Sequence, residues 1–220
     1  MNIALNFKTI SLALAIGVGF IAQAQSSHAQ QLKTLTVAGG CFWCVEADFE
    51  KVAGVKEAVS GFTGGTLKNP TYKQISKGGT GHYESVQITY DPKTVSVDRL
   101  LSLFFRSVDP TDAGGQFCDR GPSYRTAIFF GDATDKSAAE KAKAEAQAAL
   151  GKKIVTPILP AGEFYPADAY HQDFYKQKSV ILTRFGPKSK DKAYKAYREG
   201  CQRDATVRAL WGNDAPFAGS

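Results

Sequence analysis

Apolar and polar positions along the chain fall into short alternating stretches and helical repeats, separated by two long polar interruptions. Residues 35–38 form a short apolar run that enters Gly39-Gly40 and reads as a buried strand. Phe42, Val45, Phe49 and Val52 then recur at helical spacing, which predicts a helix beginning at or next to Cys41 and ending at Gly54. Residues 55–62 and 84–90 alternate as strands, the second stopped by Asp91-Pro92. Between them, residues 63–82 are rich in Gly, Asn, Pro and Thr and predict a long ordered loop. An amphipathic helix over 97–108, a second long loop over 109–124 and a strand over 125–130 follow. Residues 135–150 read as an Ala-rich helix ended by Gly151, its mixed charges forming a solvated face. A strand is predicted over 153–159, a short helix over 170–178 and a last helix over 192–198, before an irregular tail. Strands and helices thus interleave in an α/β (α+β) pattern, and long loops inside such a domain tend to carry function.

The first thirty residues follow another rule. Lys8 precedes a nearly unbroken apolar run over 10–22, and small-x-small patterns follow at Ala22-Gln23-Ala24 and Ser27-His28-Ala29. This is the pattern of a signal peptide over 1–29. The run is short for a bilayer-spanning helix, which needs about twenty residues; an uncleaved anchor is the alternative. The expectation is a single domain over 30–220, exported and periplasmic, a monomer with no membrane segment in its mature form.

Composition narrows the class further. With 220 residues, 43% hydrophobic and 22% charged, the chain is an ordinary globular protein, which excludes a disordered tail, a collagen and a multi-span membrane protein. The formal net charge of +6 falls to +5 with the loss of Lys8. An excess that small, spread along the chain, reads as a solvated basic surface and not a nucleic-acid site.

Chemistry concentrates in the cysteines: Cys41, Cys44, Cys118 and Cys201. Only Cys41 and Cys44 are close in sequence, whereas structural zinc sites usually bring ligands as two close pairs, so no metal is expected. In Gly39-Gly40-Cys41-Phe42-Trp43-Cys44 a strand hands over to a helix. Unpaired N–H groups and the positive end of the helix dipole favour a thiolate there, which predicts an acidic, nucleophilic Cys41. An exposed Phe42-Trp43 pair would then wall an apolar substrate site. The alternative is that Phe42 and Trp43 belong to the core and Cys41 is a small buried hydrophobe.

Further along come Asn69-Pro70-Thr71-Tyr72, Gly81-His82-Tyr83-Glu84, Tyr90-Asp91-Pro92, Asp109-Pro110-Thr111, Asp119-Arg120-Gly121 with Tyr124-Arg125, Phe164-Tyr165-Pro166-Ala167 and Tyr170-His171-Gln172. Together with Gly40-Cys41-Phe42-Trp43, these blocks resemble, in order, the A-class peptide methionine sulfoxide reductases over about residues 34–185. The resemblance implies a two-layer sandwich on a ferredoxin-like plan with a mixed sheet, an exposed thiol nucleophile, no cofactor, and an external dithiol donor such as a thioredoxin-like protein. It places the nucleophile on Cys41, the pocket for the substrate S-methyl on Phe42 and Trp43, and the acid on Glu84. Tyr72 and Tyr124 would flank the sulfoxide oxygen, and Asp119 would order the pocket. The substrate would be the S epimer of methionine sulfoxide, free or protein-bound.

Taken alone, Glu84 reads as a solvated strand-end carboxylate, Asp119 as a turn former, and His82 and His171 as structural residues. Three positions depart from the family pattern. Cys44 stands where a glycine usually follows Phe-Trp, Tyr83 where a small residue is more usual, and Cys118 lies directly before Asp119. The family's resolving thiol lies in the C-terminal tail, which makes Cys201 the first choice; Cys44, one helical turn from Cys41, and Cys118 are further redox candidates. Past Met1 the chain has no methionine, where average usage gives about four, so it offers no substrate to itself. A thiol–disulfide oxidoreductase of thioredoxin type, suggested by Cys-Phe-Trp-Cys, and a non-enzymatic methionine-binding module are the rival classes.

Overall fold

Strand β1 (Lys33–Gly39) runs through the middle of the sheet and delivers the chain directly to helix α1 (Phe42–Phe49). The structure is a computed structural model describing residues 31–184 and 186–219; the leader expected over 1–29 lies outside the described residues. After α1 come β2 (Val55–Thr63), α2 (Tyr72–Ser76), β3 (Tyr83–Tyr90) and α3 (Val97–Phe105). A small hairpin of β4 (Gly115–Gln116) and β5 (Asp119–Arg120) precedes β6 (Thr126–Phe130), α4 (Ala133–Leu150), β7 (Ile158–Pro160) and β8 (Tyr165–Pro166). A second hairpin, β9 (Val180–Thr183) and β10 (Gly186–Ser189), leads into α5 (Lys190–Gly200) and α6 (Arg203–Trp211).

The main sheet has the order β7-β6-β1-β3-β2-β8 and is antiparallel except where β7 pairs with β6. Its inner part, β1-α1-β2-β3-α3-β6 with strand order β6-β1-β3-β2, is the ferredoxin-like plan, as expected from the sequence. Phe42, Val45 and Phe49 of α1 join Val37, Val86, Phe104 and Phe105 in the main core. The opposite side of α1 is also covered, because Cys44 and Ala47 pack with Phe174 and Tyr194 from the C-terminal segment.

Several expected elements change under tertiary contacts. The helix expected over 170–178 is a series of turns. There Gln172 accepts the Ser60 N–H at 3.0 Å and donates to the Ser60 carbonyl at 2.8 Å, so the segment serves the edge of β2 instead of its own helix. The strand expected over 153–159 begins only at Ile158, since the Val155 N–H is spent on the Pro110 carbonyl. The last expected helix, over 192–198, is present as α5, and the tail beyond it is not irregular, since it carries α6. Val207, Leu210 and Trp211 already lie at helical spacing in the sequence, and all three pack on the core.

A buried charge cluster fixes that tail. Asp48, on α1 and fully enclosed, accepts a hydrogen bond from Arg198 at 2.8 Å, and Arg203 lies 4.0 Å from its other oxygen. Arg203 also donates to the Gly39 carbonyl at 3.1 Å and the Ser107 carbonyl at 2.9 Å. Removing one partner strands the others in a dry interior. Asp48→Ala is therefore expected to lower unfolding free energy in urea by about 3–5 kcal/mol; a loss below about 1 kcal/mol would show that α5 and α6 hold to α1 without this cluster.

Candidate active site

Gly40 turns the chain from β1 into α1 with φ +81°, and a Cβ there would lie 2.5 Å from the Gln116 Cβ. Only glycine allows both the left-handed turn and the close approach of the β4–β5 hairpin. Gln116 in turn holds residue 109 at both backbone groups, at 2.8 Å each. At the hairpin tip Phe117 takes φ +53°, an unusual conformation for a bulky residue, beneath the Arg203 guanidinium 4.7 Å from its ring. This arrangement brings Asp119 over the start of α1 and leaves Cys118 exposed beside it.

Cys41 caps α1, but it is buried, 7% exposed, and in hydrogen-bond contact with Cys44. Burial, the Cys44 sulfur and the Glu84 and Asp119 carboxyls together raise its thiol well above the ordinary range. The acidic, exposed thiol expected from the helix start is therefore not the resting state. Desolvation outweighs the dipole, and the first free N–H of the helix, on Phe42, is donated to Glu84 Oε2 at 3.2 Å. Cys44 shifts the other way, because Cys41 donates to it and Arg203 and Arg198 lie nearby.

Glu84, on β3, is enclosed, and burial pushes its carboxyl up to about 8, so at neutral pH it carries a proton. Its Oε2 faces the Phe42 N–H, while its Oε1 is buried without a hydrogen-bond partner. Tyr72 and Tyr124 hydrogen-bond each other beside this carboxyl, and both phenols are pushed above their usual range, first by burial and then by Glu84. Asp119 accepts a hydrogen bond from Tyr197, and burial raises its carboxyl.

The apolar side of the site is built on two rings that differ in exposure from expectation. Phe42 is wholly buried among Phe62, Tyr72 and His171, with ring centroids 5.7, 6.1 and 5.4 Å away. Trp43 is half-buried, flat against Phe174 at 3.7 Å, its indole N–H donated to His171 Nδ1 at 3.2 Å. His171 also faces Tyr72 at 4.2 Å, while His82 fastens the 63–71 loop through Gly65 and Leu67. Cys201 does not meet Cys41 here; it is bonded to Cys118, and Cys41 and Cys44 are thiols. Among the described residues, the one close group of potential metal ligands is Glu46, Glu50 and Asp173, where Lys176 already pairs with Glu50 and Asp173.

The profile of the peptide methionine sulfoxide reductase family matches residues 33–203. The chain belongs to this family. It is 46% identical over 192 residues to the peptide methionine sulfoxide reductase MsrA 2 of Caulobacter vibrioides, covering 87% of this chain and 91% of that one. The MsrA 2 of Staphylococcus aureus is 44% identical over 180 residues, or 81% of this chain and 95% of the relative. Among solved structures, the reduced form of Mxr1 from Saccharomyces cerevisiae aligns with TM-score 0.62 and 33% identity over 64% of this chain and 82% of that one. Methionine sulfoxide reductase A of Corynebacterium diphtheriae gives TM-score 0.59 and 35% identity over 65% and 73%.

Of the residues that the sequence put forward for the site, the structure brings Cys41, Phe42, Trp43, Tyr72, Glu84, Asp119 and Tyr124 together and leaves Cys201 on Cys118. The sequence reading did not put forward Tyr197 and Phe174, which pack against this group. Both come from the C-terminal segment, where only the helical period of α5 offered a signal for Tyr197 and none marked Phe174 as the floor under Trp43.

The Glu84 carboxyl holds its proton more tightly folded than unfolded, so its contribution to stability is complete below its ordinary 4.5 and is lost as pH rises through about 8. Relative to wild type, Glu84→Gln is expected to gain on the order of 4 kcal/mol of unfolding free energy between pH 4.5 and 8. Parallel urea stabilities of the two proteins across that range would show that Glu84 is not protonated in the fold.

Proposed function

We propose that Cys41 takes the oxygen from methionine S-sulfoxide, with Glu84 as the proton donor. As a member of its family the chain is a peptide-methionine (S)-S-oxide reductase, and it returns methionine sulfoxide to methionine. The observation that carries the residue assignment is the pairing of a buried thiol with a protonated carboxyl whose Oε1 has no partner. A sulfoxide oxygen entering there would accept the Glu84 proton and hydrogen bonds from Tyr72 and Tyr124, while its electron-poor sulfur faces Cys41. The substrate methyl group would lie against Phe42 and Trp43.

In balance, the sulfoxide sulfur gains two electrons and loses its oxygen, and the Cys41 sulfur gives up two electrons and becomes a sulfenic acid. A second thiol then displaces water to form an intramolecular disulfide, which an external thioredoxin-like dithiol reduces. Cys44 is in place for that displacement, in hydrogen-bond contact with Cys41; Cys201 takes part once its bond to Cys118 is reduced. The signal-like pattern over 1–29 supports export and a periplasmic repair role. No helix among the described residues is long and apolar enough to cross a membrane.

With separated epimers and dithiothreitol, reduction is expected for the S form alone and is expected to vanish in Cys41→Ser. Glu84→Gln is expected to slow single-turnover methionine formation by about a hundredfold or more. Turnover by Cys41→Ser would remove Cys41 as the oxygen acceptor.

A further inference from the structure

Glu46 is an enclosed acid, 1% exposed, with no part in the cycle above. It follows Trp43 by three residues on α1, so the two side chains leave the same face of the helix. Each of its carboxyl oxygens accepts one hydrogen bond: Oε2 from the Ser60 hydroxyl on β2, and Oε1 from the backbone N–H of Asp173. A carboxyl in a dry interior is costly unless such bonds are made, and here they hold one turn of the chain against both helix and sheet.

That turn lies under Trp43. Asp173 takes φ +52°, in the left-handed region that short polar side chains tolerate. To one side of it, His171 accepts the Trp43 indole N–H at 3.2 Å. To the other, Phe174 lies on the indole with centroids 3.7 Å apart and planes 8° from parallel. The rest of the segment is fastened elsewhere. Gln172 bonds both backbone groups of Ser60, and Lys190 of α5 donates to the Tyr170 carbonyl at 2.7 Å and to Gln177 at 2.8 Å. Tyr175 and Lys176 reach Glu50 at the far end of α1. Glu46 is the tie at the level of Trp43, and it joins the helix that carries the indole to the turn that supports it.

We propose that Glu46 is a positioning residue for substrate binding: by holding the Asp173 turn to α1 it fixes His171 and Phe174 against Trp43, and so sets the apolar wall that receives the substrate methyl group. The proposal rests on the reading of Phe42 and Trp43 as that wall. Its action is on a ring and not on a sulfur, so its loss weakens ground state and transition state alike and leaves the chemical step unslowed.

The tie does not need a charge. Burial pushes the Glu46 carboxyl up to about 7, yet in either form one oxygen accepts the Asp173 N–H while the other accepts from the Ser60 hydroxyl or donates to it. An amide does the same, with its oxygen toward Asp173 and its NH2 toward Ser60. A methyl group does neither.

The test is single-turnover methionine formation by the reduced full chain, read against the concentration of a peptide sulfoxide. Glu46→Ala is expected to raise the half-saturating concentration about tenfold and to leave the limiting rate within about twofold. Glu46→Gln is expected to bring the half-saturating concentration back to within about twofold of the unmodified chain. Ser60→Ala removes one partner and keeps the Asp173 bond; it is expected to give the same split at about threefold, and it decides the matter if Glu46→Ala does not fold. In a Trp211→Phe background, where Trp43 is the one remaining tryptophan, Glu46→Ala is expected to shift the indole emission to longer wavelength, and Glu46→Gln to leave it in place. Unchanged half-saturation in both Glu46→Ala and Ser60→Ala, a loss confined to the limiting rate, or a Glu46→Gln chain as impaired as Glu46→Ala would overturn the proposal. Failure of the underlying reading shows separately: methionine formation would survive Cys41→Ser, or Trp43→Ala would leave half-saturation unmoved.

Discussion

The enclosed pairing of Asp48 with Arg198 and Arg203 is the constraint on which the rest of the molecule depends. Helix α1 is short and carries Cys41, the proposed nucleophile, at its cap, and it is held from both sides. The sheet holds one side through apolar burial. The other is held by charges that reach across from α5 and α6, and such groups are stable in a dry interior only while every partner is in place. Arg203 extends the same constraint to the backbone at Gly39 and to the ring of Phe117. One guanidinium thereby ties together the strand that precedes Cys41 and the turn that carries Cys118.

Enclosure also sets the chemistry of the pocket. Burial works against charge on every group at once, so the Cys41 thiol, the Glu84 carboxyl and the two phenols all favour their neutral forms. A protonated Glu84 no longer repels a thiolate on Cys41, so in the proposed mechanism the acid that supplies the proton also makes room for the charge of the nucleophile. In the proposed cycle the same enclosure limits what can reach a sulfenic acid on Cys41, while Cys44 stays in hydrogen-bond contact with it.

Local pattern alone determined the strand–turn–helix around Cys41, the core positions Phe42, Val45 and Phe49, and the strands of the ferredoxin-like plan, because each follows from periodicity or from a glycine where no other residue fits. The ordered motifs placed Glu84, Tyr72, Tyr124 and Asp119 together. Only the tertiary structure decided that Cys41 is enclosed and its thiol raised, since desolvation depends on what covers α1 and not on its sequence. The helix expected over 170–178 gave way because Gln172 found better hydrogen bonds on β2. The pairing of Cys118 with Cys201 was likewise beyond reach of the sequence: their Cα atoms lie 5.0 Å apart across 83 residues, a proximity created by the buried arginines and by the turn that Gly40 makes room for.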